Sequence, residues 1–142
     1  MKASVLRFVR KAVAILCALV CMVSLAACGG NVSNVEIKES TSEIYSDREI
    51  NAAINEIMRY FKRNFDGCTL REITYAGDEK TLAHAEFAER QGAKDVIVLI
   101  SKFDVDASGG DGSLNPNSTY TNWMWILVRD RLGGWKHVDH GY

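Results

Sequence analysis

A single proline among 142 residues rules out a collagen-like chain, and an apolar share of 47% beside 25% charged residues rules out a disordered one. The uncharged apolar run Ala12–Ala27 spans 16 residues, short of the roughly 20 that a membrane-crossing helix needs. A polytopic membrane protein is therefore excluded. Acidic groups are absent from residues 1–27, which carry Lys2, Arg7, Arg10 and Lys11; the remainder holds 13 basic against 18 acidic side chains, a net of −5. With no clustered Lys/Arg stripe to neutralise phosphates, nucleic acid is not an expected partner. Also lacking are a Ser or Cys nucleophile motif, a phosphate-cradling glycine loop, paired His metal ligands and any internal repeat. No cofactor is expected.

What is present begins with an address. A basic opening (Met1–Lys11), the apolar run and a cysteine at 28 form the three-part layout of a secretory signal peptide. A permanent transmembrane anchor is the alternative. Leu25-Ala26-Ala27-Cys28-Gly29 resembles a bacterial lipobox. That resemblance implies a diacylglyceryl group on the Cys28 thiol, cleavage just before it, and a mature protein held on the outer face of the cell membrane. Two acyl chains, at about 0.8 kcal/mol per buried CH₂, suffice for stable attachment to a lipid bilayer, whereas one does not. Cys17 and Cys21 fall in the discarded run, so Cys68 is the one free thiol expected in the mature chain, and no intramolecular disulfide forms. Its setting between Gly67 and an apolar alternation is that of a small buried hydrophobe.

Three segments follow: a signal peptide at 1–27, the lipidated cysteine and a flexible tether at 28–45, and a domain at 46–142. The tether assignment rests on Gly, Ser, Thr, Asn and Glu without sustained periodicity. Ser46-Asp47-Arg48-Glu49 fits a capping box, with Tyr45 and Ile50 as a hydrophobic staple. Behind it, Ile50, Ala53, Ile54, Ile57, Met58, Phe61 and Phe65 make one apolar stripe on a helix of about five turns. Asp66-Gly67 breaks that helix, and a β-branched, aromatic stretch predicts a strand at about Thr69–Tyr75. A second helix is expected over EKTLAHAEFAER, ending near Gln91-Gly92. The unbroken Val96–Ile100 marks a strand covered on both faces. A long loop spans 107–118, a strand packed on both sides covers 119–130, and Gly133-Gly134 turns into the last strand. The order predicts an α+β domain: an antiparallel four-stranded curved sheet with two helices on one face.

Tyr120, Trp123, Trp125, Leu127, Val128 and Arg129, followed by Gly134, Trp135, Val138, Asp139, Gly141 and Tyr142, resemble the closing strands of small lipoproteins of Gram-positive bacteria. Those carry a domain of unknown function with the cone-shaped nuclear transport factor 2-like fold, and the resemblance extends more loosely over 46–142. It implies a fold and no activity, since that fold hosts enzymes, binding proteins and scaffolds alike. No catalytic residue carries over.

Three constellations hold possible chemistry. Asp104, Asp106, Ser108 and Gly109 match the start of a calcium loop, but Asn115 stands where a bidentate Glu belongs, so an acidic hairpin connection is expected instead of a metal site. His137 and Asp139 alternate onto one strand face, as an acid/base pair would, while His140 points to the other, so three ligands on one metal would need the strand to end early or His84 to join from the second helix. Trp123 and Trp125 share a face that Tyr120 and Arg129 would flank, and His137 and Asp139 complete the expected ligand-binding set. The functional expectation is a lipid-anchored protein that binds a small molecule, peptide or envelope protein. The alternatives are an enzyme using His137 and Asp139, and an accessory domain that forms homodimers through its sheet face.

Overall fold

The computed structural model describes residues 29–142. The expected signal segment and the expected acylation site, Cys28, lie outside the described residues.

Ser46 starts the long helix α1 (Asp47–Asn64) with a reciprocal cap: its hydroxyl accepts from the Glu49 amide, and the Glu49 carboxylate accepts from the Ser46 amide at 2.9 Å. The predicted stripe faces inward, with Ile50, Ala53, Ile54, Ile57 and Phe61 buried. Gly67, in the left-handed region at φ 69°, then reverses the chain into β2 (Cys68–Tyr75). The second helical stretch breaks at Ala83-His84 into α2 (Asp78–Leu82) and α3 (Ala85–Gln91), which ends on Gly92 in the left-handed conformation. β3 (Val96–Val105), β4 (Thr119–Arg129) and β5 (Trp135–Gly141) complete an antiparallel meander with β2.

The expected four-stranded antiparallel sheet is corrected to a mixed five-stranded one, in the order β1-β2-β3-β4-β5. The extra strand, β1 (Glu36–Ile37), pairs in parallel with β2 at Glu72 and Ile73. Its two residues are too few to leave a periodic signal. The same finding corrects the tether. Gly30 donates to the Lys62 carbonyl at 3.1 Å, Asn31 exchanges backbone bonds with Cys68 and Leu70, and Lys38 donates to Ile73. Further along, Ser42 and the Glu43 amide both donate to the Asp78 carboxylate. A Cβ on Gly30 would come within 2.6 Å of the Phe61 ring, so only glycine permits this approach. Polar composition here marks a strap over the domain instead of a solvated linker.

The helices do not share a face. α1 covers Ile73, Ile97, Leu99, Phe103, Trp125 and Leu127, the main core. α3 sets Ala88 and Phe87 on the opposite side, against Val96, Val98, Ile126 and Val128. Consecutive strand residues point to opposite faces, so the unbroken apolar run in β3 requires a cover on both sides. β4 is buried in this way only from Trp125 to Val128; its first half is more open. The sheet face proposed for homodimers is thus capped at one end by α3.

Candidate functional site

Two β-bulges decide which side chains meet. In β4, Ser101 pairs with Trp123 and Phe103 with Tyr120, so Thr121 and Asn122 together oppose Lys102 alone. Asn122 adopts φ 57°, a left-handed conformation that asparagine tolerates better than most side chains. Without the extra residue, Tyr120 and Trp123 would face opposite sides; with it, their ring centroids lie 5.4 Å apart in edge contact, both against Phe103.

In β5, Leu127 pairs with His137 and Ile126 with Asp139, leaving Val138 as the inserted residue. This overturns the expected pairing of His137 with Asp139. His137 stays on the core face with Leu127, while Asp139 turns to the other side and accepts from the His140 amide at 2.9 Å. It is His140 that joins His137, with Nδ1 and Nε2 3.2 Å apart, one ring donating to the other. The bulge resets the parity of the strand, which no alternation argument can detect. Burial pushes His137 down to about 4, and the neighbouring His140 ring adds to the effect. Burial lowers His140 as well, so the pair is neutral at pH 7. His84 lies elsewhere, at the α2–α3 joint, its Nδ1 2.8 Å from the Lys80 carbonyl.

Helix α1 supplies the remaining wall. The Tyr60 ring lies 4.1 Å from that of His137, tilted by 45°, and reaches His140 and Trp125; Phe65 packs on Trp123, Trp125 and His140. Tyr142 closes on Tyr120 and Trp123 from the C-terminal end. Between this aromatic wall and the loop that follows β3 lies a cavity of about 350 Å³, lined by Tyr60, Phe65, Trp123, His140, Asp66 and Asp111 among others. That volume is at the small end of the range for ligand sites. The glycines at 109, 110 and 112, all at positive φ, shape the loop side.

The tryptophans divide. Trp125 is fully buried and its indole N–H donates to the Ser101 hydroxyl at 2.8 Å. Trp123 is half-buried in the cavity wall, and its Nε1 is shielded from water yet has no hydrogen-bond partner. Arg129, expected beside them, belongs instead to the far end of β4. There it donates to Asp95 at 2.7 Å and Glu49 at 2.8 Å and stacks 4.3 Å over Trp135, whose N–H donates to the Glu49 carbonyl. It ties β4 and β5 to the start of α1 and does not reach the cavity.

Cys68 is buried next to the cavity; burial, together with the charges of Asp106, Asp111 and Asp66, pushes its thiol up to about 11. It is no nucleophile at neutral pH. In the acidic loop, Asp104 accepts from Arg71 and Thr119, each at 2.7 Å, while Asp106 accepts from the Ser108 amide and hydroxyl. The two carboxylates thus have separate protein partners. Another open groove, about 580 Å³, runs between the strap at Ile37–Thr41 and the first turns of α1. It has no aromatic lining.

Tyr60, His140, Phe65 and Tyr142 were not among the expected site residues. The signal that existed for Tyr60 was its position one turn before Asn64 at the end of the stripe; for His140 there was none without the bulge. Comparison with known proteins found no matching family model, no matching curated protein and no matching solved structure.

Proposed function

We propose that this protein is a membrane-anchored, extracytoplasmic lipoprotein whose domain binds a small molecule in the cavity between the end of α1, the loop after β3 and the aromatic half of β4. The observation that carries the binding role is the conjunction of an aromatic wall, a cavity and a half-buried indole whose N–H is unpartnered. Ordinary core aromatics have neither open space beside them nor an unsatisfied donor. The acid/base alternative loses its support, because Asp139 and His137 face opposite sides of β5. A long helix seated on a bulged, curved meander supports the nuclear transport factor 2-like cone as the fold. The anchor rests on the lipobox-like residues Leu25–Gly29. Gly29 begins the described strap, close to Lys62 near the end of α1, the end of the helix at which the cavity lies.

Expression of the full chain in a Gram-positive host with a fatty-acid probe tests the anchor. The wild type labels and fractionates with membranes, and Cys28→Ser does neither. Labelling that survives Cys28→Ser overturns it. A thermal-shift screen of small molecules against wild type and Trp123→Ala tests the pocket: hits should lose their effect in the variant.

A further inference from the structure

The cavity has a charge pattern that its aromatic wall makes meaningful. Asp66 and Asp111 line it, and no Lys or Arg does among the described residues. Asp111 is held ionised by the Ser113 hydroxyl and amide, which lower its carboxyl below the usual range. The histidine on the rim, His140, is lowered by burial and brings no positive charge at neutral pH. Tyr60, Phe65 and Trp123 line the same cavity, and aromatic rings attract cations by their quadrupole. An anion would meet two carboxylates and no counter-charge, and a neutral apolar molecule would gain nothing from them.

We propose that the cavity takes a small organic cation, an alkylated ammonium group seated between the aromatic wall and Asp66 and Asp111. The inference rests on the pocket reading above and adds the ligand's charge. The volume of about 350 Å³ admits a molecule of a few carbons around the nitrogen. The open groove under the strap, although larger, offers a mixture of Lys38, Glu39 and Asp47 and no ring, so it has no comparable preference.

The test is calorimetric titration of the purified full chain, in uncharged detergent, with choline and with its uncharged carbon isostere, in which a carbon atom replaces the nitrogen. Choline should bind about tenfold more tightly than the isostere, the size expected of a partly desolvated cation–π contact. The preference should shrink as salt is raised, because the carboxylates are exposed to screening. It should fall severalfold in Asp111→Asn and in Asp66→Asn and persist in Glu89→Gln, which removes a carboxylate from the opposite side of the sheet. Trp123→Phe, which keeps a ring but attracts a cation less strongly than the indole, should weaken choline modestly while leaving most of the charge preference. Equal binding of choline and the isostere overturns the cation assignment and leaves the pocket reading standing. Binding of neither overturns the cation assignment, and the thermal-shift screen then decides the pocket on its own. A charge preference that survives both Asp variants and fades in Glu89→Gln would place the cation elsewhere and overturn it too.

Discussion

Trp123 and Trp125 stand two residues apart on the same face of one strand, and the same substitution at each should have unequal consequences. Trp125→Phe deletes part of a fully buried ring that touches Phe61, Phe65 and Tyr60. A change between a one-methyl deletion and full truncation costs about 1 to 2 kcal/mol in a well-packed core. It also strands the Ser101 hydroxyl, which is 5% exposed and hydrogen-bonded by the Trp125 indole at 2.8 Å. A buried hydroxyl left without its partner adds about 1 to 3 kcal/mol. The sum, about 2 to 5 kcal/mol, is a substantial part of the 5 to 15 kcal/mol that holds an ordinary domain together. Trp123→Phe loses no hydrogen bond, because its Nε1 has none, and the cavity already borders the ring. About 1 kcal/mol or less is expected there. The assay is urea unfolding followed by far-ultraviolet circular dichroism, since the substitutions themselves alter fluorescence. The decisive arm is the double variant Trp125→Phe with Ser101→Ala, which removes the stranded hydroxyl and should recover about 1 to 2 kcal/mol. Equal losses for the two single variants, or no recovery in the double one, would refute the division of the indoles into core and pocket wall.

Two further outcomes are expected. Ser46→Ala should cost about 1 kcal/mol by removing the cap that α1 takes from the Ser46 hydroxyl, measured as a lower urea midpoint at unchanged slope. For pH, His137 is lowered from 6.5 to about 4, so between those values the unfolded chain binds the proton and the folded chain does not. Stability is therefore whole above about 6.5 and declines as pH falls toward 4. Thermal unfolding between those limits should show this slope, and His137→Phe, which keeps a ring against Tyr60 but cannot titrate, should flatten it; an unchanged slope would place the titrating group elsewhere.

Local chemistry alone determined the elements. The capping residues Ser46 and Glu49, the stripe from Ile50 to Phe61 and the breaker Asp66-Gly67 place α1 without help from the rest of the chain, because caps and periodicity act within a few residues. The apolar run in β3 announced a strand buried on both sides, and the structure supplies α1 on one face and α3 on the other. Tertiary structure decided what those elements bring together. β1 exists because β2 offers an edge, and two residues paired across a long separation leave no periodic trace. The strap from Gly29 to Tyr45 has a linker's composition, yet Gly30, Asn31 and Ser42 are held by groups that come from Lys62, Cys68 and Asp78. The site itself turns on the bulges at Thr121-Asn122 and Val138. Each adds one residue to one strand against its neighbour, a quantity defined only once both strands are paired, and each moves a side chain, Tyr120 or His140, onto the face that makes the cavity wall.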